Sequence, residues 1–324
     1  MKAAVFSKYG PPEVVQVKDV PKPEPGDNEI IIKVYAATVN RTDCGFRKPE
    51  PWFVRFFSGV VKPKMKILGN EFSGVVDETG KAVKLFKKGD HVFGLTGGTK
   101  FGAHAEYLCL PEDFPIVLKP ESLSFEEAAS ACDGGMLALT CLSKIDFDKN
   151  HKILINGTTG SIGSAALQIA KKHYGAEITA VCNTKNIELV KSLGADRIID
   201  YLKEDFTKDN EVYDVVFDAV GKSSFPRCKK LIKDGGLYIS TDLGYFYQTV
   251  FHMLWTSKFG TKKAIIPFPK ETKQLVIFIK ELLEQGMFKP VIDRCYPLEQ
   301  IVEAYRYVDT GEKTGNVVIQ IAHQ

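Results

Sequence analysis

The chain has 324 residues, of which 44% are hydrophobic and 26% charged, so it is long enough for one or two globular domains with buried cores. Its formal net charge of +3 is too small to indicate a nucleic-acid partner or an anionic membrane surface. Seven scattered cysteines without a C-x-x-C pair predict a cytoplasmic protein with reduced thiols, and no apolar run approaches the roughly 20 residues of a membrane span.

The first 120 residues are predicted to be mainly β. Strand-like runs lie at 2–7, 14–17, 29–37, 69–77, 90–94 and 102–110. Turn signals such as the Pro-rich stretch 21–26 separate them. Strands at this spacing indicate a small barrel-like domain.

The pattern changes near Ser122, where strands begin to alternate with helices. Ser124 and Glu127 have the spacing of a capping box before a predicted helix at 128–145. Further helices are predicted at 162–173 and 187–193, and strands at 153–156, 178–182, 197–200, 215–218 and 237–240. This alternation predicts a parallel, doubly wound sheet.

The last part of the chain returns to the β domain. An amphipathic helix is predicted at 272–285, and a mixed tail ends in a strand at 316–321 that we expect to pair with the N-terminal strands. The prediction is therefore an α/β protein. Residues 1–120 and 270–324 form one domain, residues 121–269 form a nucleotide-binding domain, and a cleft lies between them.

A glycine-rich turn organises the second domain. An apolar run at 152–156 leads into three glycines and a helix of small residues. A dinucleotide pyrophosphate needs this order, because the backbone must approach the phosphates and the helix N-terminus must direct free N–H groups at them. Thr158 replaces the second glycine of the usual G-x-G-x-x-G pattern, which is weak alone but is flanked here by strand and helix. The predicted phosphate-binding residues are Gly157, Thr158, Gly160, Ser161, Ile162 and Gly163.

The residues after the second strand of this domain select the cofactor. An acidic residue there would bind the ribose 2′-hydroxyl of NAD, and a basic one accommodates the 2′-phosphate of NADP. The chain has Asn183, Thr184 and Lys185, and the next carboxylate, Glu188, lies within the following helix. Lys185 can pair with a phosphate, so NADPH is the predicted cofactor. The alternative is that Lys185 is an ordinary surface lysine.

Several motifs follow one another in a fixed order along the chain. They are AATVNRTD at 36–43, GNEFSGVV at 69–76, GDHVFG at 89–94, GAHAEY at 102–107, the glycine turn, LGAD at 193–196, FDAVG at 217–221 and GNVV at 315–318. In this order they resemble the medium-chain dehydrogenase/reductases, and within them the zinc-independent quinone oxidoreductase branch. The resemblance implies a GroES-like mainly-β barrel domain, a Rossmann domain and a homodimer.

The resemblance also implies the loss of catalytic zinc. Zinc alcohol dehydrogenases of this superfamily carry a Cys where this chain has Asn40 and a His where it has Asn70. Neutral amides do not replace a thiolate and an imidazole, so no metal site is predicted. Cys44 and His104, near these segments, are interpreted as a packed thiol and a surface or turn histidine.

The chemistry that the resemblance implies is hydride transfer from NADPH to a quinone or an α,β-unsaturated carbonyl. Asn40 and Asp43 are the predicted catalytic residues. Asn40 would donate to the substrate oxygen or hold the nicotinamide ribose, and Asp43 would orient the loop. Without the resemblance, the same two residues fit a plain strand-to-helix cap equally well. The alternative functions are an enoyl-thioester reductase and a non-catalytic NADPH-binding sensor or structural protein.

The resemblance assigns further cofactor contacts. They are Thr140 at the nicotinamide carboxamide, Tyr201 at the adenosine phosphate, Val220 and Gly221 at the ribose, and Gly315 before the final strand. Relatives often carry a basic residue just before that strand, where this chain has Thr314 preceded by Lys313. No tyrosine or histidine is prominent as a proton donor, which leaves solvent for that role.

Two aromatic segments, 51–57 and 245–255, have no place in the expected fold. They are consistent with the wall or lid of an apolar pocket, or with a satellite core or dimer contact. The second is also consistent with a peripheral membrane contact, although Lys258, Lys262 and Lys263 form only a thin basic flank. The predicted partners are a small apolar quinone or enone and a second copy of the chain, with no nucleic acid and no membrane apart from that contact.

Overall fold

The structure is a computed structural model that describes residues 1–98, 100–147, 150–269 and 272–323. The chain divides into two compact units: Met1–Asp133 with Glu271–Glu284 and Pro290–Gln324, and Gly134–Lys270 with Gln285–Lys289. Residues 121–133, which the sequence analysis placed in the nucleotide-binding domain, thus belong to the first unit. Ala129 is buried there against Ala36 and Val318.

The secondary structure runs through both units. The strands are β1 Lys2–Val5, β2 Gln16–Asp19, β3 Glu29–Val39, β4 Glu71–Thr79, β5 His91–Leu95, β6 Tyr107–Pro111, β7 Ile116–Leu118, β8 Lys152–Asn156, β9 Glu177–Cys182, β10 Arg197–Asp200, β11 Tyr213–Asp218, β12 Ile232–Ser240, β13 Lys263–Ile265, β14 Ile292–Pro297 and β15 Asn316–Gln320. The helices are α1 Arg41–Arg47, α2 Val54–Ser58, α3 Phe125–Ala129, α4 Cys132–Leu142, α5 Ser161–Lys172, α6 Ile187–Ser192, α7 Phe225–Cys228, α8 Gln248–Lys258, α9 Lys273–Glu284 and α10 Ile301–Asp309.

The first unit is built on a seven-stranded sheet of order β14-β15-β3-β4-β5-β7, with β6 also paired to β3. The long strand β3 pairs antiparallel with β15, β4 and β6. Its apolar face joins a core that includes Ile32, Phe72 and Tyr305. The predicted return of the C-terminal strand to the N-terminal sheet is confirmed, with Val317 opposite Val39.

The second unit holds a six-stranded parallel sheet of order β10-β9-β8-β11-β12-β13. Numbered within the unit, this is the order 3-2-1-4-5-6 of doubly wound dinucleotide-binding folds. The order reverses between β8 and β11, and ligands of such sheets bind outside the strand ends at that point. The predicted fold class is confirmed.

The structure corrects three predicted elements. The helix predicted at 128–145 is two helices, α3 and α4, because the carbonyl of Ser130 accepts from the Asn316 side-chain amide at 3.2 Å instead of continuing the helix. The predicted Ser124 capping box does start α3. The predicted strand at 102–110 is reduced to β6, and that at 14–17 begins with a short 3₁₀ turn before β2. Among the described residues, no helix has the length and apolarity needed to cross a membrane.

A buried ion pair ties α10 to α1. Arg47 is fully buried, its Nη2 donates to Asp309 Oδ2 at 2.6 Å, and its Nη1 donates to the Gly10 carbonyl at 2.6 Å. The guanidinium also lies 5.1 Å from the centre of the Tyr305 ring. Arg306, on the same helix, forms an exposed ion pair with Glu13, in which Nε and Oε1 are 2.8 Å apart.

Arg47→Met is expected to lower the free energy of unfolding by about 1–3 kcal/mol, because the Gly10 carbonyl loses its donor and, within the described residues, Asp309 keeps only Lys48, at 3.2 Å, as its cationic partner. Arg306→Met, the matched control on the same helix, should cost less than about 1 kcal/mol, because water screens the exposed pair. Urea denaturation followed by circular dichroism measures both. If the two variants lost the same free energy of unfolding, burial would not be what makes the Arg47 ion pair more stabilising than the Arg306 pair.

Candidate active site

Asn40 lies where β3 ends and α1 begins. Its Oδ1 accepts from the Asp43 N–H at 3.0 Å, and the Asp43 carboxylate accepts from the Asn40 N–H at 3.0 Å. This reciprocal pair is a capping box. Because Oδ1 is the acceptor in the cap, the orientation of the amide is fixed, and Nδ2 is the atom left to donate elsewhere. The cap is confirmed, and it is also what positions the predicted catalytic amide.

A buried polar network extends from this amide within the first unit. Asn40 Nδ2 donates to Asn70 Oδ1 at 2.7 Å, and Asn70 Nδ2 donates to Asp133 Oδ1 at 3.1 Å. The Asp133 N–H donates to Glu71 Oε2 at 2.7 Å, and the Thr38 hydroxyl donates to the other oxygen of Glu71 at 2.5 Å. All five residues are buried. The site therefore joins the end of β3, the start of β4 and the start of α4.

The pKa values of the carboxyl groups in and beside this network are raised. Burial raises the pKa of Asp43 to about 7, although the N–H groups of Asn40 and Gly69 that it accepts from oppose the shift. Burial likewise raises the pKa of Asp133 and that of Glu71, and the neighbouring charge of Asp133 raises the pKa of Glu71 further. Burial and the repulsion between the two charges therefore both favour the neutral form of these carboxyls.

Lys313 is a basic side chain within electrostatic reach of Asp133 and Glu71. Its Nζ donates to the Gly315 carbonyl at 2.5 Å. Burial lowers the pKa of Lys313, and the charges of Asp133 and Glu71 oppose that shift. The sequence analysis named Lys313 without a role and gave Glu71 none, although Glu71 lies in the quoted GNEFSGVV motif. Asp133 was missed, because it is 63 residues from Asn70 and no local pattern connects them.

His104 was interpreted as a surface or turn histidine; it lies in a bend of the chain, but a surface position is wrong, because its side chain is fully buried. Its backbone N–H donates to the Leu68 carbonyl at 3.0 Å, which folds the segment back against the residues that precede β4. Nε2 lies 2.8 Å from the Thr38 carbonyl, which can only accept, so Nε2 carries the hydrogen. Nδ1 is then an acceptor, and the Tyr305 hydroxyl donates to it at 3.3 Å. Burial lowers the pKa of His104 to about 4.

This buried imidazole predicts a measurable loss of stability in acid. Between about pH 6.5 and pH 4 the unfolded chain binds the imidazole proton and the native state does not, so the free energy of unfolding falls as the pH falls. His104→Gln keeps a donor for the Thr38 carbonyl but removes this proton. Its loss of stability between pH 7 and pH 5 should be smaller than that of the wild type by about 2 kcal/mol.

The measurement for His104 is urea denaturation at the two pH values. The raised carboxyl pKa values act in the opposite direction in both proteins, so the difference between the two proteins isolates the imidazole. The matched control is His91→Gln at an exposed histidine, which should keep the wild-type pH dependence. If the free energy of unfolding of His104→Gln had the same pH dependence as that of the wild type, the lowered pKa assigned to His104 would be refuted.

The second unit contains the predicted phosphate cradle. Gly157 has φ of +84°, and a Cβ there would lie 2.3 Å from Val220 Cγ1. A Cβ on Gly163 would lie 2.2 Å from the Gly157 carbonyl oxygen, so both positions require glycine. Gly160 caps α5 without any side-chain hydrogen bond, which leaves the first-turn N–H groups for an anion. Thr158 is accommodated because its side chain is buried and its hydroxyl donates to the Val181 carbonyl at 3.0 Å.

The residues that follow β9 were predicted to contact the ribose 2′-phosphate of the cofactor. Asn183 Oδ1 is buried and has no hydrogen-bond partner within the described residues, which marks it for a ligand donor. Lys185 is exposed beside it in sequence. The Thr184 hydroxyl donates to Asp200 Oδ2 at 2.5 Å and is thus already used by the protein. Asp200, at the end of β10, is a carboxylate that the sequence analysis did not consider there.

The other predicted cofactor residues lie in both units. Thr140 is half-buried in α4, and its hydroxyl donates to the Met136 carbonyl at 2.8 Å. Gly221 has φ of +66°, next to Val220, and Tyr201 is half-exposed after β10. Gly315 lies in the first unit, where a Cβ would come within 2.2 Å of the Val291 carbonyl. The cofactor roles of these residues remain predictions.

Comparison with known proteins places this site in a family. Residues 26–121 match the alcohol dehydrogenase GroES-like domain, and residues 193–319 match the zinc-binding dehydrogenases. The 2-methylene-furan-3-one reductase of Solanum lycopersicum is 34% identical over 98% of this chain and 79% of its own length. The chain belongs to the quinone oxidoreductase branch of the medium-chain dehydrogenase/reductase superfamily.

Two other members of the superfamily agree with this assignment. The chloroplastic NADPH-dependent alkenal/one oxidoreductase of Arabidopsis thaliana is 33% identical over 98% of this chain and 79% of its own length. The quinone oxidoreductase of Coxiella burnetii superposes with a TM-score of 0.89 at 29% identity and covers 99% of both chains. The resemblance inferred from the ordered motifs is confirmed.

Proposed function

We propose that this oxidoreductase transfers hydride from NADPH to quinones and α,β-unsaturated carbonyls without a catalytic zinc ion. The observation that carries the proposal is the fixed amide of Asn40. The glycine cradle and the unpartnered Asn183 Oδ1 of the second unit support NADPH as the cofactor. Two relatives are named as an NADPH-dependent alkenal/one oxidoreductase and a 2-methylene-furan-3-one reductase, which supports the substrate class.

The donor set around Asn40 does not fit a catalytic zinc ion. Zinc in proteins takes thiolate, imidazole and carboxylate ligands and keeps one position open. Here the Asn40 and Asn70 amides are hydrogen-bonded to each other at 2.7 Å, and the one carboxylate bonded to them accepts from Asn70. An enone or a quinone needs less activation than an isolated ketone, and hydrogen-bond donors replace the Lewis acid.

The residues of the first unit stabilise the negative charge that develops on the substrate oxygen. Bound NADPH supplies the hydride. An amide nitrogen carries two hydrogens, and within the described residues Asn40 Nδ2 has Asn70 as its acceptor for one. The second hydrogen donates to the substrate oxygen. The raised pKa values of Asp133 and Glu71 favour their neutral forms, which limits the repulsion that nearby carboxylates would exert on this oxyanion.

Asn40→Ser tests this role without removing the cap, because serine is also a good N-cap residue. Chelator-treated wild type should oxidise NADPH when an enone or a quinone is added. The variant should lose about 10²–10³-fold in kcat/KM, as for the removal of one oxyanion donor, with the Kd for NADPH unchanged. The matched control is Asn28→Ser at an exposed asparagine of the same unit.

Other results of this assay would select the alternatives. Tight NADPH binding without turnover of any acceptor would favour a sensor or structural protein. Turnover confined to enoyl thioesters would favour that reductase class. Loss of turnover on chelation would contradict the zinc-free mechanism.

Lys185→Ala tests the choice of cofactor. Loss of a charged hydrogen bond to the 2′-phosphate should raise the Kd for NADPH about tenfold or more and leave the Kd for NADH unchanged. Lys191→Ala, at an exposed lysine of α6, is the matched control. Fluorescence titration with both cofactors measures the ratio. Equal losses for NADPH and NADH, or no loss, would remove the role assigned to Lys185.

The proposal includes the cytoplasmic location inferred from the cysteines and the homodimer implied by the family resemblance. None of the seven cysteines forms a disulfide, which supports a reducing compartment. The chloroplastic location in the name of the Arabidopsis relative applies to that protein.

A further inference from the structure

Exposed apolar side chains cluster in the segment that follows α1 in the first unit. Trp52, Phe56 and Phe57 are 64%, 64% and 65% exposed, and Val60 and Val61 are 62% and 87% exposed. We call these five residues the apolar patch. The rings of Trp52 and Phe56 meet edge to face, with their centres 5.4 Å apart. A cluster of large apolar side chains in contact with water marks an interaction site.

The polar groups of the same segment are turned toward the protein and hold the patch outward. Ser58 is buried, and the Tyr9 hydroxyl donates to the Gly59 carbonyl at 2.6 Å. Arg55 Nη1 donates to the Val60 carbonyl at 2.9 Å, and its guanidinium lies 4.9 Å from the centre of the Tyr9 ring. Turning the patch inward would break these hydrogen bonds, so its exposure is a fixed property of the turn.

The charges in and beside the patch are predominantly positive. Residues 48–66 contain one acidic residue, Glu50, and five basic residues, which are Lys48, Arg55, Lys62, Lys64 and Lys66. The last three lysines are exposed and follow the patch directly along the chain. The segment therefore combines aromatic side chains with a net positive charge.

The tertiary structure adds to this positive charge. The Phe6 N–H donates to the Lys66 carbonyl at 2.9 Å, which brings the exposed Lys8 beside the segment. The carboxylates of neighbouring elements, those of Asp309 and Glu13, are each paired with arginine. They therefore do little to neutralise the lysines around the patch.

We propose that the apolar patch and its lysines dock on the surface of a lipid bilayer that carries anionic headgroups. Aromatic side chains favour the boundary between headgroups and acyl chains, and lysines are attracted to the negative surface beside it. The sequence analysis considered a membrane contact for residues 245–255 and not for this segment, because the exposure of a side chain is a tertiary property.

The positive charge favours a bilayer over a second copy of the chain at this surface. A two-fold contact would bring the lysines of one patch against those of the other. The homodimer proposed above has another surface available, because β13 is the end strand of the six-stranded sheet of the second unit.

The chain carries its own reporter for the bilayer contact. Its two tryptophans are Trp52, in the apolar patch, and Trp255, in the second unit. In full-length Trp255→Phe, the emission of Trp52 should shift to shorter wavelength when phosphatidylcholine vesicles containing phosphatidylglycerol are added. Pure phosphatidylcholine should produce a much smaller shift, and added salt should reverse it. In Trp52→Phe, the remaining tryptophan should not respond.

Cosedimentation with the same vesicles tests the two parts of the surface separately. Phe56→Ser with Phe57→Ser, and independently Lys62→Glu with Lys64→Glu, should each weaken the partition constant about tenfold or more. The measurement needs neither NADPH nor a substrate, so its outcome is independent of the proposed reaction. Unchanged thermal midpoints would show that the variants are folded.

Two matched variants control for hydrophobicity and charge. Leu85→Ser with Leu118→Ser removes exposed apolar side chains elsewhere in the same unit. Lys81→Glu with Lys84→Glu makes the same change of charge beside the start of β3, whereas the patch follows its end, about 30 Å away along the strand. Both controls should keep the wild-type partition constant.

Three results would overturn the proposal. The first is the absence of cosedimentation with anionic vesicles. The second is a raised KM for an enone in Phe56→Ser with Phe57→Ser at an unchanged partition constant, which would make the patch a wall of the substrate pocket. The third is a lipid-free dimer, detected by light scattering, that the same double variant dissociates.

Discussion

The candidate site depends on the reciprocal hydrogen bonds between Asn40 and Asp43. They end the long strand β3, start α1 and fix which atom of the Asn40 amide is free to donate. The other members of the network follow from this constraint, because a buried polar group left without a partner costs about 1–3 kcal/mol. Glu71 and Asp133 are tolerated in the interior because each accepts a hydrogen bond there. The network is therefore most stable when it is complete.

The two units meet different physical requirements. To bind a pyrophosphate as predicted, the second unit must let its backbone approach closely, and glycine at positions 157 and 163 keeps side chains out of the way. The first unit must place polar side chains in an apolar core, and it does so by hydrogen-bonding them to one another. Thr158 illustrates the difference, since its side chain is tolerated in the cradle only because its hydroxyl bonds to the sheet.

Replacing a metal by amides changes what the site can do. A zinc ion polarises an isolated alcohol or ketone directly, whereas an amide only donates a hydrogen bond. An enone or a quinone distributes the incoming charge over a conjugated system, so a donor held rigidly by its own helix cap is sufficient. The proposed role of Asn40 is therefore consistent with the substrate class that the names of the relatives support.

The sequence by itself determined the features that depend on neighbours along the chain. The alternation of strands and helices, the capping boxes at Asn40 and Ser124 and the glycine turn are local patterns, and the pattern of strands and crossover helices restricts the sheet to few topologies. Side-chain environments were decided only by tertiary structure, because they depend on segments that meet from far apart. Asn316 ends a helix 186 residues away, and His104 is buried because its segment folds onto Leu68. For the same reason Asp133 contacts Asn70.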